Sequence, residues 1–100
     1  MSEERWTFEA ELWSAEQFAA WAFLTLPPDV GDDVRVLSGP PRGFGSVRVE
    51  VTVGSSTWRT SVFPDKARGY VLPVKSAVRR SEGLELGDRV DVTLALLRQE

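Results

Sequence analysis

From Val47 to Val53 the chain alternates without a break: Val47, Val49, Val51 and Val53 interleave with Arg48, Glu50 and Thr52. A period of two puts the valines on one face of a strand and the polar residues on the other. A helix cannot bury that set, because its side chains return to one face only every 3.6 residues or so. Gly54-Ser55-Ser56 then offers a tight connection, and Thr57 to Phe63 reads as a second strand. Residues 46–63 are therefore expected to form a β-hairpin. An isolated hairpin is barely stable in water, so the rest of the chain must supply strands to cover it.

Those strands can be read. In residues 6–13, Trp6, Phe8, Ala10 and Leu12 fall on one side and Thr7, Glu9 and Glu11 on the other. Ala20 to Leu26 is short, aromatic-rich and stopped by Pro27-Pro28, which predicts a strand buried on both faces. Tyr70 to Val74, after the turn Pro64–Gly69, is another short strand, closed by Pro73. In the last strand Val90, Val92, Leu94 and Leu96 point inward, with Asp91, Thr93 and Ala95 outward.

Two short helices separate the strands. Pro28 can open the first, with Val30, Val34 and Leu37 at helical spacing and Gly39-Pro40-Pro41 ending it. The second should bury Val74, Ala77, Val78 and Ser81 while Lys75, Arg79, Arg80 and Glu82 face water. Gly83 suits the left-handed position after it, with Leu84 folding back on Val78, and Leu86-Gly87-Asp88 makes a turn. The order is ββα then βββαβ, mainly β with short helices. No linker is long enough to split it, so a single domain over residues 1–100 is expected. Closing the strands into a barrel would remove exposed edges.

Thr25-Leu26-Pro27 and Val71-Leu72-Pro73 lie 46 residues apart, and each leads into a helix. One reading is a pair of structural halves, about 6–45 and 46–97. The other is that Leu-Pro is simply a good strand-to-helix junction, since proline ends pairing and pre-sets a helix start.

Composition narrows the chemistry. The 100 residues contain no cysteine and no histidine, which removes most zinc, Ser-His and Cys-His chemistries. No catalytic residue, metal ligand or cofactor is implied by what remains. Net charge is −3, with 15 acidic and 12 basic residues, against the basic excess usual in nucleic-acid binders. Ten of those basic residues are arginine, which fits a GC-rich genome. The polar start Met-Ser-Glu-Glu-Arg is unlike a signal peptide. The longest apolar stretch, Ala19 to Leu26, falls far short of the ~20 residues that span a bilayer. A cytoplasmic protein without a membrane partner is the expectation.

Each candidate site has a plainer reading beside it. Lys75, Arg79 and Arg80 share a helix face and with Arg59 or Arg68 would make an anion or nucleic-acid patch; a solvated, dipole-matched helix end explains them too. Asp29, Asp32 and Asp33 lack calcium-loop spacing and suit a helix N-terminus. Of the four tryptophans, Trp6, Trp21 and Trp58 are expected to fill the barrel. Trp13 falls opposite Trp6 and Phe8 and is the candidate for an exposed aromatic at a partner surface or pocket mouth; capping the barrel at a strand end is its plainer reading. Gly39 to Gly45 lacks the Lys-Ser/Thr of a phosphate loop.

Gly69-Tyr70-Val71-Leu72-Pro73-Val74, then Val78-Arg79, then Gly83-Leu84-Glu85-Leu86-Gly87-Asp88-Arg89-Val90-Asp91-Val92 resembles the strand, Leu-Pro, helix, Gly-Leu, Gly-Asp-x-Val, strand unit of AbrB-type regulators and antitoxins. With the opening aromatic strand, Trp21-x-Phe23 running into Leu26-Pro27, and the hairpin before Tyr70, the chain is most similar to the prokaryotic domain of unknown function 1905 family. The resemblance implies a double-split β-barrel capped by two short helices. AbrB-type chains complete one barrel in pairs; here one chain would do so alone, as a monomer. The family has no established activity, so no catalytic residues carry over. The expected function is a non-catalytic module binding a protein partner or a small ligand. The alternative is a DNA-binding regulator or antitoxin of AbrB type, which rests on shared fold alone.

Overall fold

The computed structural model describes residues 4–15, 20–39 and 45–97. Strands β1 (Arg5–Glu11) and β2 (Ala22–Thr25) precede helix α1 (Pro28–Leu37). Strands β3 (Val47–Val53), β4 (Ser56–Asp65) and β5 (Gly69–Val74) precede helix α2 (Ser76–Glu82), and β6 (Arg89–Leu96) closes the sequence. The protein is mainly β, and its six strands form one antiparallel sheet in the order β1-β6-β3-β4-β5-β2. The sheet curls until its two edge strands meet. Just past β1, Trp13 exchanges both backbone hydrogen bonds with Phe23 of β2, at 3.0 and 2.8 Å.

The valine alternation does what it predicts. Val47, Val49, Val51 and Val53 are all buried, as are Trp58, Leu72, Val78, Val90, Val92 and Leu94. The hairpin turns on Gly54 at φ 58°, and no described residue other than glycine has positive φ, so the two-residue loop is of type II′, whose first position favours glycine. Glu82 at the end of α2 clasps this turn. Its Oε2 accepts hydrogen bonds from the hydroxyls of Ser56 (2.6 Å) and Ser55 (3.1 Å).

The element order strand-strand-helix-strand occurs twice, as β1-β2-α1-β3 and as β4-β5-α2-β6. The pairings repeat with it: β1 lies on β6 as β4 lies on β3, while β2 pairs with β5 and β3 with β6. One row of register runs Trp6, Leu94, Val51, Trp58, with a tryptophan at each end. This division joins the units at Gly54-Ser55; the one suggested by the Leu-Pro spacing, 6–45 and 46–97, puts β3 in the second unit instead.

Several expectations are corrected. The Ala20–Leu26 run is not buried on both faces: Ala22, Leu24 and Leu26 point inward, Phe23 is half-buried, and Trp21 is 56% exposed. The reason is position, since β2 ends the sheet order and pairs along its length with β5 alone. In α2 only Val78 is buried; Ala77 and Ser81 are exposed and Arg79 is half-buried. Leu37 ends α1 in solvent, past the sheet. Ala95 is buried although it points outward, being small and paired between Arg5 and Glu50. β4 runs through Pro64 to Asp65, so the turn is only Lys66–Arg68, held by Asp65 Oδ1 accepting from the N–H groups of Ala67 and Arg68 at 2.9 Å each. Pro73 does not close β5, which continues to Val74. The expected loop at 42–45 lies outside the described residues except for Gly45. Among the described residues, no helix is long and apolar enough to cross a membrane.

Candidate functional site

The site begins with a missing hydrogen bond. The Leu26 N–H donates to the Tyr70 carbonyl at 3.1 Å, so Tyr70, Leu72 and Val74 turn their backbone groups toward β2. Val71 and Pro73 therefore turn theirs toward β4. Val71 pairs with Phe63; the next partner in that ladder would be Pro73, which has no N–H to give. The ladder stops, and β4 and β5 splay apart from there.

The split is a cleft of about 390 Å³, within the size range of ligand sites. Trp58, Arg59 and Thr60 of β4 line one wall, and Pro73 and Val74 of β5, with Lys75 just beyond them, the other. Ser76 and Arg79 of α2 close one end; Ala20, Trp21 and Ala22 border it where the chain enters β2. No carboxylate is among these lining residues.

Its polar groups are almost all donors. Arg79 is anchored, its Nε donating to the Val74 carbonyl and its Nη2 to the Ala20 carbonyl, both at 3.1 Å. Those bonds fasten α2 to both strand ends and explain why Arg79 leaves the solvent. Arg59 reaches across the hairpin to Glu50 at 3.4 Å. The Lys75 ammonium has no ion pair, and the Trp58 indole N–H no hydrogen bond, among the described residues. That N–H is not sealed from solvent, since no fully buried side-chain N or O is left unpaired.

The backbone of β4 contributes too. The Leu97 N–H donates to the Arg48 carbonyl, so Arg48, Glu50 and Thr52 face β6 and the alternate valines face β4. By the same parity Trp58 and Thr60 bond to β3, while Thr57, Arg59 and Ser61 turn their N–H and C=O groups toward the split. No described strand pairs with β4 there, because its ladder with β5 is limited to Phe63–Asp65.

The structure thus brings together Arg59, Lys75 and Arg79 from the expected basic surface, and separates the others. Arg80 is exposed on α2 and lines neither described cleft. Arg68 lies 4.0 Å from the ring centroid of Trp13 and borders a second hollow of about 250 Å³ with Tyr70, Asp32 and Arg35. Trp13 is not the exposed aromatic. It is half-buried, donates to the Thr25 hydroxyl at 2.9 Å and packs on Phe23 at 5.0 Å. The exposed tryptophan among the described residues is Trp21, stacked on Phe23 at 6.2 Å. The three aspartates do not converge on a metal: Asp33 accepts from Trp6 Nε1 and Asp32 pairs with Arg35. Among the described residues no group of three or more acids could hold an ion. Sequence reasoning passed over Trp58, Thr60 and Pro73 as site residues. Proline inside a strand was the available signal, since it marks where a ladder must stop.

A curled antiparallel sheet of six strands, two short helices and a donor-lined split define a small mainly-β domain of half-barrel type. The chain belongs to the family described as Domain of unknown function (DUF1905), whose model matches residues 8–94. Among curated proteins, none matches it.

Proposed function

We propose that this is a non-catalytic binding module and that the β4/β5 split is its binding site, taking a carboxylate or other anionic group beside the aromatic walls. The observation that carries the reading is the convergence of Lys75, Arg59, Arg79 and the Trp58 N–H in one cleft whose described lining holds no carboxylate. Cations in a partly desolvated cleft attract an anion more strongly than they would in open water. The absence of histidine and cysteine leaves the hydroxyls of Thr60 and Ser76 without an imidazole to activate them.

DNA binding draws less support. Arg68 and Arg80 do not line the cleft with Arg59 and Arg79, so the cleft does not gather the four arginines a basic DNA-facing surface would use. The module is read as working in a single copy, since every strand of the curled sheet pairs with at least one neighbour from the same chain.

Isothermal calorimetry with glutarate, a small dicarboxylate, tests the reading. Saturable binding that disappears in Lys75→Glu is the expected result. Binding unchanged in that variant, or no binding by either protein, would remove the site.

A further inference from the structure

Building on the cleft as a binding site, we infer that its occupant is an extended, carboxylate-bearing peptide segment of a partner protein, added as a strand to the open edge of β4. A small anion would use only the donors. The edge at Arg59 and Ser61 offers N–H and C=O groups in alternation, a set that another extended backbone matches.

Edge strands are usually shielded by being paired, covered or interrupted. Here Pro73 interrupts the β5 side of the split and leaves the β4 side with its full set of groups. A strand entering the gap can therefore bond to β4 without competing with β5.

Side chains of an added strand fall in rows with those of β4. A residue opposite Arg59 shares its outward face and should be acidic. Its neighbours share the face of Trp58 and Thr60 and should be small and apolar. Lys75 and Arg79 at the end of the cleft extend the preference for negative charge. The recognised pattern is an alternation of acidic and apolar residues.

The test uses the whole chain, labelled with ¹⁵N, and three probes: the hexapeptide Val-Glu-Val-Glu-Val-Glu, the same peptide N-methylated at alternate residues, and glutarate. The plain peptide should bind and slow hydrogen exchange at the Arg59 and Ser61 amides. N-methylation removes its donors to β4 and should weaken binding by about tenfold or more, the worth of one or two net hydrogen bonds. Equal affinity for both peptides, or binding without protection of those amides, would overturn strand addition. Lys75-dependent binding of glutarate with no binding of either peptide would also overturn it while leaving the cleft as an anion site. Failure of all three probes would overturn both.

Discussion

The two splits of this sheet are built alike and dressed differently. Both have a tryptophan in the same row of register, Trp6 at the β1 side and Trp58 at the β4 side. In the first, the indole N–H of Trp6 is taken by Asp33 of α1 at 3.2 Å, and Thr7, Glu9 and Glu11 lie along the edge of β1 that faces β2. In the second, Trp58 has no acceptor among the described residues, and Arg59, Lys75 and Arg79 line the same cleft. Residues 5–53 carry 7 acids and 4 bases, whereas residues 56–96 carry 5 acids and 7 bases, so a net charge of −3 conceals a basic second unit. Whole-chain charge therefore misleads when a fold repeats: one copy can be satisfied from within while the other keeps its donors for something else.

The comparison can be broken at the row that both units share. Leu94 is fully buried and pairs with Trp6 on one side and Val51 on the other. Leu94→Ala should cost about 2–5 kcal/mol through lost burial and a residual cavity, the largest effect expected. Chemical denaturation measures it, and a loss under 1 kcal/mol or so would mean that the row is not the common core.

A smaller loss is expected at the joint. Gly54 is at positive φ, and a Cβ there would run into the Glu82 carboxylate. Gly54→Ala should cost about 1–2 kcal/mol from backbone conformation alone, with the Glu82 clasp displaced in addition. Gly31 is the instructive opposite. It sits inside α1 with an added Cβ meeting the Tyr70 ring at 3.6 Å, an ordinary contact. Gly31→Ala should therefore raise stability by about 0.5–1 kcal/mol through helix propensity. Thermal unfolding of the two alanine variants should show shifts of opposite sign.

The smallest expected effect concerns pH. The hydroxyls of Ser56 and Ser55 hold the Glu82 carboxyl below the usual carboxylate range. A group whose pKa is lower folded than unfolded stabilises above its unfolded pKa, and that contribution is lost as pH falls through the folded value. Glu82→Gln should flatten the acid side of the stability–pH profile slightly, and leave the region above ordinary carboxylate titration parallel to the parent. A profile of unchanged shape would show that the clasp is not coupled to folding.

What the sequence made legible follows the same physics. Strands with one apolar face, such as Val47–Val53 and Val90–Leu94, show their burial directly because period two has one meaning in a sheet. Gly83, left-handed at φ 64°, marked the end of α2. Trp21 was misplaced because a four-residue strand carrying aromatic and aliphatic residues on both faces has no readable polarity. Arg79 was assigned to solvent because its partners are backbone carbonyls, which no side-chain pattern announces. Pro73 was visible from the start, but its consequence depends on knowing that β4 is its neighbour, a pairing set at long range. The correspondence of Trp6 with Trp58 was hidden because the spacing between matching positions differs from element to element, so no fixed period links the units.

The indole N–H signals of the four tryptophans test the central claim most directly. In a ¹H–¹⁵N correlation spectrum, adding glutarate should move the Trp58 signal saturably, while Trp6, held by Asp33, and Trp13, held by Thr25, stay in place. Movement of Trp6 to the same extent, or a Trp58 signal that ignores the anion, would contradict the account that only the second split keeps its donors for a ligand.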